Sequence, residues 1–540
     1  MPPWQKITVA AAVGCVLLNW KRDGWSKSSL LGSFVALWLL GFTLWGVWVV
    51  WVYPLLLSPL RHLPEPSGNH WMMGQWFRII REPSGMPMRE WVNEIPNDGL
   101  IRYRDLFNQE CILVCSPKAL AEVLVTNSYA FQKPGSLRWA LSRIVGIGLV
   151  LAEGDEHKFQ RRNLTPAFSF RHIKDLYPIF WRKSCEVTQA MMVALGDANQ
   201  LETDITSWAS RSTLDMIGLA GMGKDFGAIK DKDSVLVKAY EKVFKPSKQA
   251  QMMALAGLLL PTWLIDNLPI RRNDDINVAA DEIRAVCRDL IPEKRAKLRD
   301  KAETGVDILS VALESGAFTD ENLVDQLMTF LAAGHETTAT AITWAMYTLA
   351  RYPDVQSRLR EEIRRELPSV DSDADITSQD IDRLPYLNAV CNEVLRYWAP
   401  VPITIRDTAH DTTIGGQVVP KGTLIMVSPW ATNHDRSLWG ANADTFDPER
   451  WISSDKTKAK SGGSNSNYAF LSFLHGPRGC IGASFSRAEI ACLLAAWVGR
   501  FEFELRNPED FDEKNLVIKS GFTSGLADGC PVTMRVASGN

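Results

Sequence analysis

No two of the nine cysteines stand as a Cys-x-x-Cys pair. That absence excludes paired-cysteine zinc sites and argues against a disulfide framework, and it points to a reducing compartment. Charge of one sign is missing too. Lys and Arg number 59 against 62 Asp and Glu, a net charge of −3, so nothing suggests a nucleic-acid partner. Internal repeats and long disordered tracts are absent. A local absence says more: Ser28 to Leu60 contains no charged residue. Leu30 to Leu57, rich in Leu, Val, Phe and Trp, is long enough to cross a bilayer as a helix. It is too long and too far from the start for a cleaved signal peptide. Ile7 to Leu18 is a shorter apolar run, half of a hairpin or an interfacial segment. Lys21, Arg22 and Lys27 lie between the runs and Arg61 follows them, so flanking charge does not set the orientation.

The 540 residues accommodate that anchor and one large fold of roughly 450 to 500 residues. The expected division is a membrane anchor at 1–57, a hinge at 58–68 and a body at 69–540. Pro59, Pro64, Pro66 and Gly68 mark the hinge as stiff and extended. In the body, Gly99 to Cys115 reads as a β-hairpin, and a helix starts after Ser116-Pro117. Phe131 to Leu151, with Gly135, Gly146 and Gly148, reads as irregular. A basic helix opens at Glu156 and stops near Pro166. Ile205 to Phe226 and Ser234 to Phe244 read as helices, with Ser234 a suitable N-cap. Met252 to Leu260 is apolar, either core or a lip dipping into a membrane. A long helix runs from about Thr319 to Tyr352, and another from about Leu384 to Trp398. Val401 to Arg406 and Thr413 to Met426 alternate as short strands with turns at Gly415-Gly416 and Lys421-Gly422. The fold class is mainly α with small β-sheets.

Three stretches carry chemistry. Phe473-Leu474-His475-Gly476-Pro477-Arg478-Gly479-Cys480-Ile481-Gly482 is a glycine-rich turn that delivers Cys480 to the N-terminus of a helix. Unpaired N–H groups and the positive end of the dipole there favour a thiolate. Ala333-Gly334-His335-Glu336-Thr337-Thr338 stands mid-helix, where an internal Gly costs about 1 kcal/mol and Thr pairs are poor formers. A locally opened helix with space beside Gly334 would explain both. Glu393 and Arg396 share a helix face at i, i+3, which alone reads as a weak surface ion pair.

The cysteine loop, matching Phe-x-x-Gly-x-Arg-x-Cys-x-Gly at Phe473, Gly476, Arg478, Cys480 and Gly482, resembles the haem-binding signature of the cytochromes P-450. Ala333 to Thr338 resembles that family's oxygen-activation motif. Glu393-x-x-Arg396 resembles its Glu-x-x-Arg pair, and Phe446 to Trp451 resembles the later segment that supplies the completing arginine, Arg450. The resemblance covers roughly 60–540.

It implies the cytochrome P-450 fold behind an N-terminal transmembrane anchor. It implies haem with an axial thiolate from Cys480, so Cys480 is also the metal ligand. Phe473 and Gly482 would lie against the macrocycle. Arg161, Arg406 and Arg478 would neutralise its propionates, with His157 standing where the family usually has Trp. Glu336 and Thr337 would relay protons. The implied reaction inserts one oxygen atom from O2 into a lipophilic small molecule, by hydroxylation or epoxidation. A tailoring step on a terpenoid or polyketide fits the fungal style of the sequence. Electrons would come from a separate NADPH-dependent reductase docking near Lys158, Arg162 and Arg487. The expected place is the endoplasmic reticulum membrane with a cytosol-facing body. The alternatives are a fatty-acid or xenobiotic hydroxylase, a haem-thiolate isomerase, dehydratase or peroxide-user, and a non-catalytic haem sensor or scaffold. The intact acid-Thr pair argues against the last two. By the same resemblance the pocket draws on Leu137 to Val150, Met252 to Leu264, Phe330 to Ala333, Ile403-Thr404 and Gly521 to Ser524.

Overall fold

The computed structural model describes residues 3–19, 27–244, 249, 271–300, 307–453, 460–519 and 521–539. The apolar run Met252 to Leu264 lies outside the described residues, as do Lys21 and Arg22. Helices dominate. Among the described residues ten short strands run in chain order: β1 (Leu100–Arg104), β2 (Glu110–Val114), β3 (Phe131–Gln132), β4 (Leu201–Asp204), β5 (Thr404–Thr408), β6 (Thr412–Ile414), β7 (Gln417–Val419), β8 (Leu424–Val427), β9 (Phe501–Leu505) and β10 (Pro531–Val536). They form a five-stranded sheet ordered β1-β2-β8-β5-β3, a three-stranded sheet ordered β4-β10-β9, and the β6-β7 hairpin. The expected hairpin is β1 against β2, antiparallel with Leu100 opposite Val114.

The helix Asp320–Arg351 is the axis of the body. Thr319 caps it by accepting from Asn322 N at 3.2 Å. From Leu323 to Leu331 and from Thr338 to Ala350 almost every position is buried, so the helix is wrapped on all sides. Ile205–Met216 and Ala483–Arg500 pack along it. Trp344 stacks on Trp398 at 3.9 Å and 5°, joining the axis to the helix Pro385–Tyr397.

Two segments differ from expectation. The stretch after Phe131 is not irregular: it contains the helix Gly135–Val145. Its glycines sit at the ends, Gly135 in the first turn and Gly146 at the C-cap with φ 66°, where they permit a helix rather than forbid one. The helix expected to run to Phe226 ends earlier, Ile205–Met216 widening into a last turn at Ile217–Gly221.

The N-terminal part is a helical hairpin. Pro3–Asn19 packs on Lys27–Val47, and the apolar helix continues to Leu57. Close approach is set by small residues, since a Cβ on Gly41 would stand 2.9 Å from Ile7 Cγ2. Leu30–Leu57 is long and apolar enough to cross a membrane and none of its most apolar window is buried, which makes it a candidate membrane anchor. The proline-rich stretch behind it, read as stiff and extended, is pinned to the body. Leu60 is fully buried in a core cluster, Arg102 N donates to Pro64 O at 2.9 Å, and Arg102 Nη2 donates to Pro54 O at 2.7 Å. Proline without an N–H still offers its carbonyl, and the β1 edge uses it.

Candidate active site

The cysteine loop is built by hydrogen bonds and one obligatory glycine. Cys480 N donates to Phe473 O at 2.8 Å and Gly479 N to Gly476 O at 3.0 Å. Gly476 has φ 75°, and a Cβ there would lie 2.2 Å from Leu124 O, so no other residue fits. The helix Ala483–Arg500 starts just beyond the loop with Gly482 as its N-cap, and so the turn does carry Cys480 to a helix start.

Cys480 faces a cavity of about 530 Å³. Phe473, Arg478, Gly482, Arg161, Arg406 and Thr337 line the same cavity, so all but one of the expected site residues meet there. A Cβ on Gly482 would meet only Phe168, at 3.9 Å. No protein atom demands that glycine; what it leaves open is cavity space beside the sulfur. Cys480 is open to the cavity, yet the protein packed around it pushes its thiol above the usual range. The Gly482 N–H and the Arg161 charge pull the other way. The helix start favours the thiolate, as expected, but burial outweighs it in the net direction. A metal ion on the sulfur would displace the proton.

Four cations line the cavity: Lys133, Arg161, Arg406 and Arg478. No Asp or Glu is among the described residues that line it. One carboxylate is bonded into the set. Glu153 accepts from Arg478 Nη2 at 2.5 Å and from Lys133 N at 3.0 Å, with Lys133 Nζ 3.9 Å away. Positive groups outnumber the one bonded carboxylate. The surplus is visible in the titrating groups. Burial, then Arg406 and Arg478, holds Lys133 well below its ordinary value. Burial and Arg478 push Arg406 down to about 10. Burial, then Arg478, Lys133 and Arg161, pushes His157 down to about 4. His157 Nδ1 lies 3.1 Å from Tyr129 Oη, so the neutral ring has a partner. Arg161 Nη1 also donates to Gly479 O at 2.6 Å, pinning the cysteine loop. A flat group carrying two carboxylates and a metal fits this set: cations at its edge, a sulfur on one face and an open glycine beside the sulfur. Sequence reasoning missed Lys133 and Glu153, which no local pattern singles out.

The opposite face belongs to the axial helix. It runs unbroken through Ala333 to Thr338, so the expected opening is absent. Thr337 Oγ1 instead donates back to Ala333 O at 2.6 Å, giving that carbonyl a second partner within the turn. Gly334 lines the cavity, but a Cβ there would lie 2.9 Å from Ile217 Cδ1, so the glycine answers first to close helix packing. Glu336 is the expected residue that does not line the cavity. Its Oε1 accepts from Thr523 Oγ1 at 2.8 Å and lies 3.3 Å from Lys519 Nζ.

The remaining walls are apolar. Leu137, Leu141, Leu149 and Val150 come from the segment after Phe131, and Phe330, Ile403 and Phe522 close other sides. These match the expected pocket stretches, apart from Met252 to Leu264, which lies outside the described residues. Thr329 Oγ1 donates to Val145 O at 2.7 Å and Gln326 Oε1 accepts from Leu149 N at 3.0 Å, so the axial helix itself fixes that wall.

Glu393 and Arg396 are fully buried, not a surface pair. Arg396 uses all five N–H groups: two on Glu393 at 2.8 and 2.9 Å, and three on the carbonyls of Asn433, Ala443 and Thr445 at 2.7, 2.7 and 2.9 Å. Arg450 Nε donates to Glu393 Oε1 at 3.0 Å, as expected, and Trp451 Nε1 to Oε2 at 2.9 Å. Asn433, whose carbonyl is one of these acceptors, also accepts from Leu471 N at 2.9 Å through its side chain. The cluster thereby holds the start of the cysteine loop.

The family model described as Cytochrome P450 matches residues 64–523. The cytochrome P450 monooxygenase sphH of Aspergillus fumigatus is 47% identical over 491 residues, 89% of each chain. FUM15 of Gibberella moniliformis, a cytochrome P450 monooxygenase, is 45% identical over 538 residues, covering 91% of this chain and 90% of that protein. ALT8 of Alternaria alternata, described likewise, is 42% identical over 591 residues, 98% of each chain. Among solved structures, the heme domain of cytochrome P450DA superposes with a TM-score of 0.69 at 23% identity, covering 88% of this chain and 98% of that one, a likeness of fold.

Proposed function

The chain belongs to the cytochrome P450 family and is a cytochrome P450 monooxygenase, and we propose that it hydroxylates or epoxidises a lipophilic small molecule as a tailoring step in secondary metabolism, on a terpenoid or polyketide. The observation that carries this reading is the convergence on one cavity of Cys480, four cations and the Thr337 hydroxyl under apolar walls.

Family and fold imply haem bound through a cysteine thiolate. We assign that thiolate to Cys480. Arg161, Arg406 and Arg478, joined by Lys133, hold the propionates, and Phe473 and Gly482 border the macrocycle. Bound haem supplies the reductive activation of O2. The chain's own residues do the rest. Leu137, Leu149, Val150, Phe330 and Phe522 orient an apolar substrate and exclude water. Thr337 presents a hydroxyl to the cavity, and Glu336, turned to Thr523 and Lys519 behind it, is the acid assigned to resupply protons toward the cavity. Electrons arrive from a separate NADPH-dependent reductase, for which Lys158, Arg162 and Arg487 offer exposed positive groups. The Leu30–Leu57 helix anchors the chain in the endoplasmic reticulum, with the body facing the cytosol.

The test is Cys480→Ser. The variant loses the red-shifted absorption band that thiolate ligation gives the reduced carbon monoxide complex. A variant that kept the band would remove Cys480 from its role.

A further inference from the structure

The acid beside the cavity hydroxyl is held from outside its own helix. Thr523 Oγ1 donates to Glu336 Oε1 at 2.8 Å, and Lys519 Nζ stands 3.3 Å from the same oxygen. Both partners belong to one short hairpin, in which Ile518 bridges Leu526 and Lys519 N donates to Gly525 O at 2.9 Å. The hairpin is fixed to the body. Ser524 N donates to Pro400 O at 2.9 Å, and Trp344 Nε1, from the axial helix, donates to Ser524 O at 2.8 Å. At the tip, Gly521 and Phe522 line the cavity, whereas Lys519, Thr523 and Glu336 do not.

We propose that Lys519 and Thr523 are positioning residues for Glu336. Resting on the reading of Glu336 as a proton relay, the proposal identifies what aims it. A hydroxyl donor and an ammonium group on Oε1 fix the carboxylate's rotation and keep that oxygen as an acceptor. Oε2 stays outside both bonds. A proton taken up on Oε2 leaves from Oε2, and the carboxylate returns to its ionised form. The segment that supplies Thr523 also forms cavity wall at Phe522, so acid and substrate chamber have neighbouring supports.

The experiment uses the full chain in membranes with an NADPH-dependent reductase, and dioxygen itself is the probe. NADPH oxidation and peroxide release are followed together, and carbon monoxide difference spectra give the haem content. Thr523→Val and Lys519→Met are expected to raise the peroxide-to-water ratio about tenfold, below the roughly 10²- to 10⁴-fold cost of losing an acid–base group outright. Haem content stays at the wild-type level. Thr523→Ser and Lys519→Arg restore the ratio, which a merely structural contact would not require. If Glu336→Gln raises the ratio while Thr523→Val and Lys519→Met leave it unchanged, the positioning role is overturned and the relay stands. If Glu336→Gln also leaves it unchanged, the relay reading falls and this proposal with it.

Discussion

Two arginine clusters flank the cysteine loop, and they differ in one respect. Around Glu393 every donor of Arg396 has an acceptor, and the carboxylate's two oxygens take bonds from Arg396, Arg450 and Trp451. Around the cavity, among the described residues, Glu153 pairs with Arg478 and Lys133 alone, Arg406 and Arg161 have no carboxylate bonded to them, and the buried Arg478 Nε and Glu153 Oε2 have no hydrogen-bond partner. A cluster that is closed on itself does a structural job. A buried cluster with surplus charge is built for a partner of opposite sign. Residue type does not separate the two; satisfaction does.

The largest effect should come from opening the closed cluster. Glu393→Gln leaves Arg396 and Arg450 as buried charges without a counter-ion, a cost of about 3–5 kcal/mol against a total stability of about 5–15 kcal/mol. The expected outcome is little soluble, haem-bearing protein, read by expression level and the carbon monoxide difference spectrum. Normal yield would break the comparison from the structural side.

Next comes the open cluster. Arg406→Leu should leave the fold intact but release haem faster. A hydrogen bond to a charged group is worth about 1.5–3 kcal/mol, roughly 10- to 150-fold in rate. Haem transfer to an excess of an apo-globin acceptor measures it. If Arg406→Leu destabilised the fold as much as Glu393→Gln, the distinction between the clusters would collapse.

A smaller change is expected from Lys133→Met, because Lys133 is already held toward its neutral form by burial and its neighbours. Haem release should rise only a few-fold, about 0.5–1 kcal/mol. The same assay orders the two substitutions.

The last effect concerns pH and moves stability alone, not haem release. In the unfolded chain His157 takes up a proton below its ordinary 6.5, but in the folded chain only near about 4. Between those values the unfolded state holds more protons, so stability falls as pH drops through that window. His157→Gln should flatten this limb. Thermal midpoints between pH 7 and 5, for wild type and variant, check it. An unchanged slope would mean that burial and the neighbouring cations together do not hold His157 neutral in the fold.

The two clusters are unequally legible. Glu393 and Arg396 stand three apart on a helix, and that spacing alone suggests a surface pair of little worth. Only the position of the helix Pro385–Tyr397 inside the core makes it a closed network. Cys480, Arg478 and Gly482 are legible because one short loop carries all three. Lys133 and Glu153 are not, because they lie 20 residues apart and meet only when the helix Gly154–Leu164 turns back over the chain after Phe131. The glycines of the segment between them suggest irregular chain, yet they bound a helix rather than prevent one.

What the sequence determined by itself is whatever depends on neighbours along the chain. That covers the charge-free run Leu30 to Leu57, the glycine geometry that delivers Cys480 to a helix, and the period of the axial helix that carries Glu336 and Thr337. Tertiary structure decided which way those groups face. Glu336 and Thr337 are adjacent, yet one turns to the hairpin at Lys519 and Thr523 and the other to the cavity. Successive residues on a helix point about 100° apart. Which of them meets a cavity depends on where distant segments pack, and packing of distant segments is not a local property of the chain.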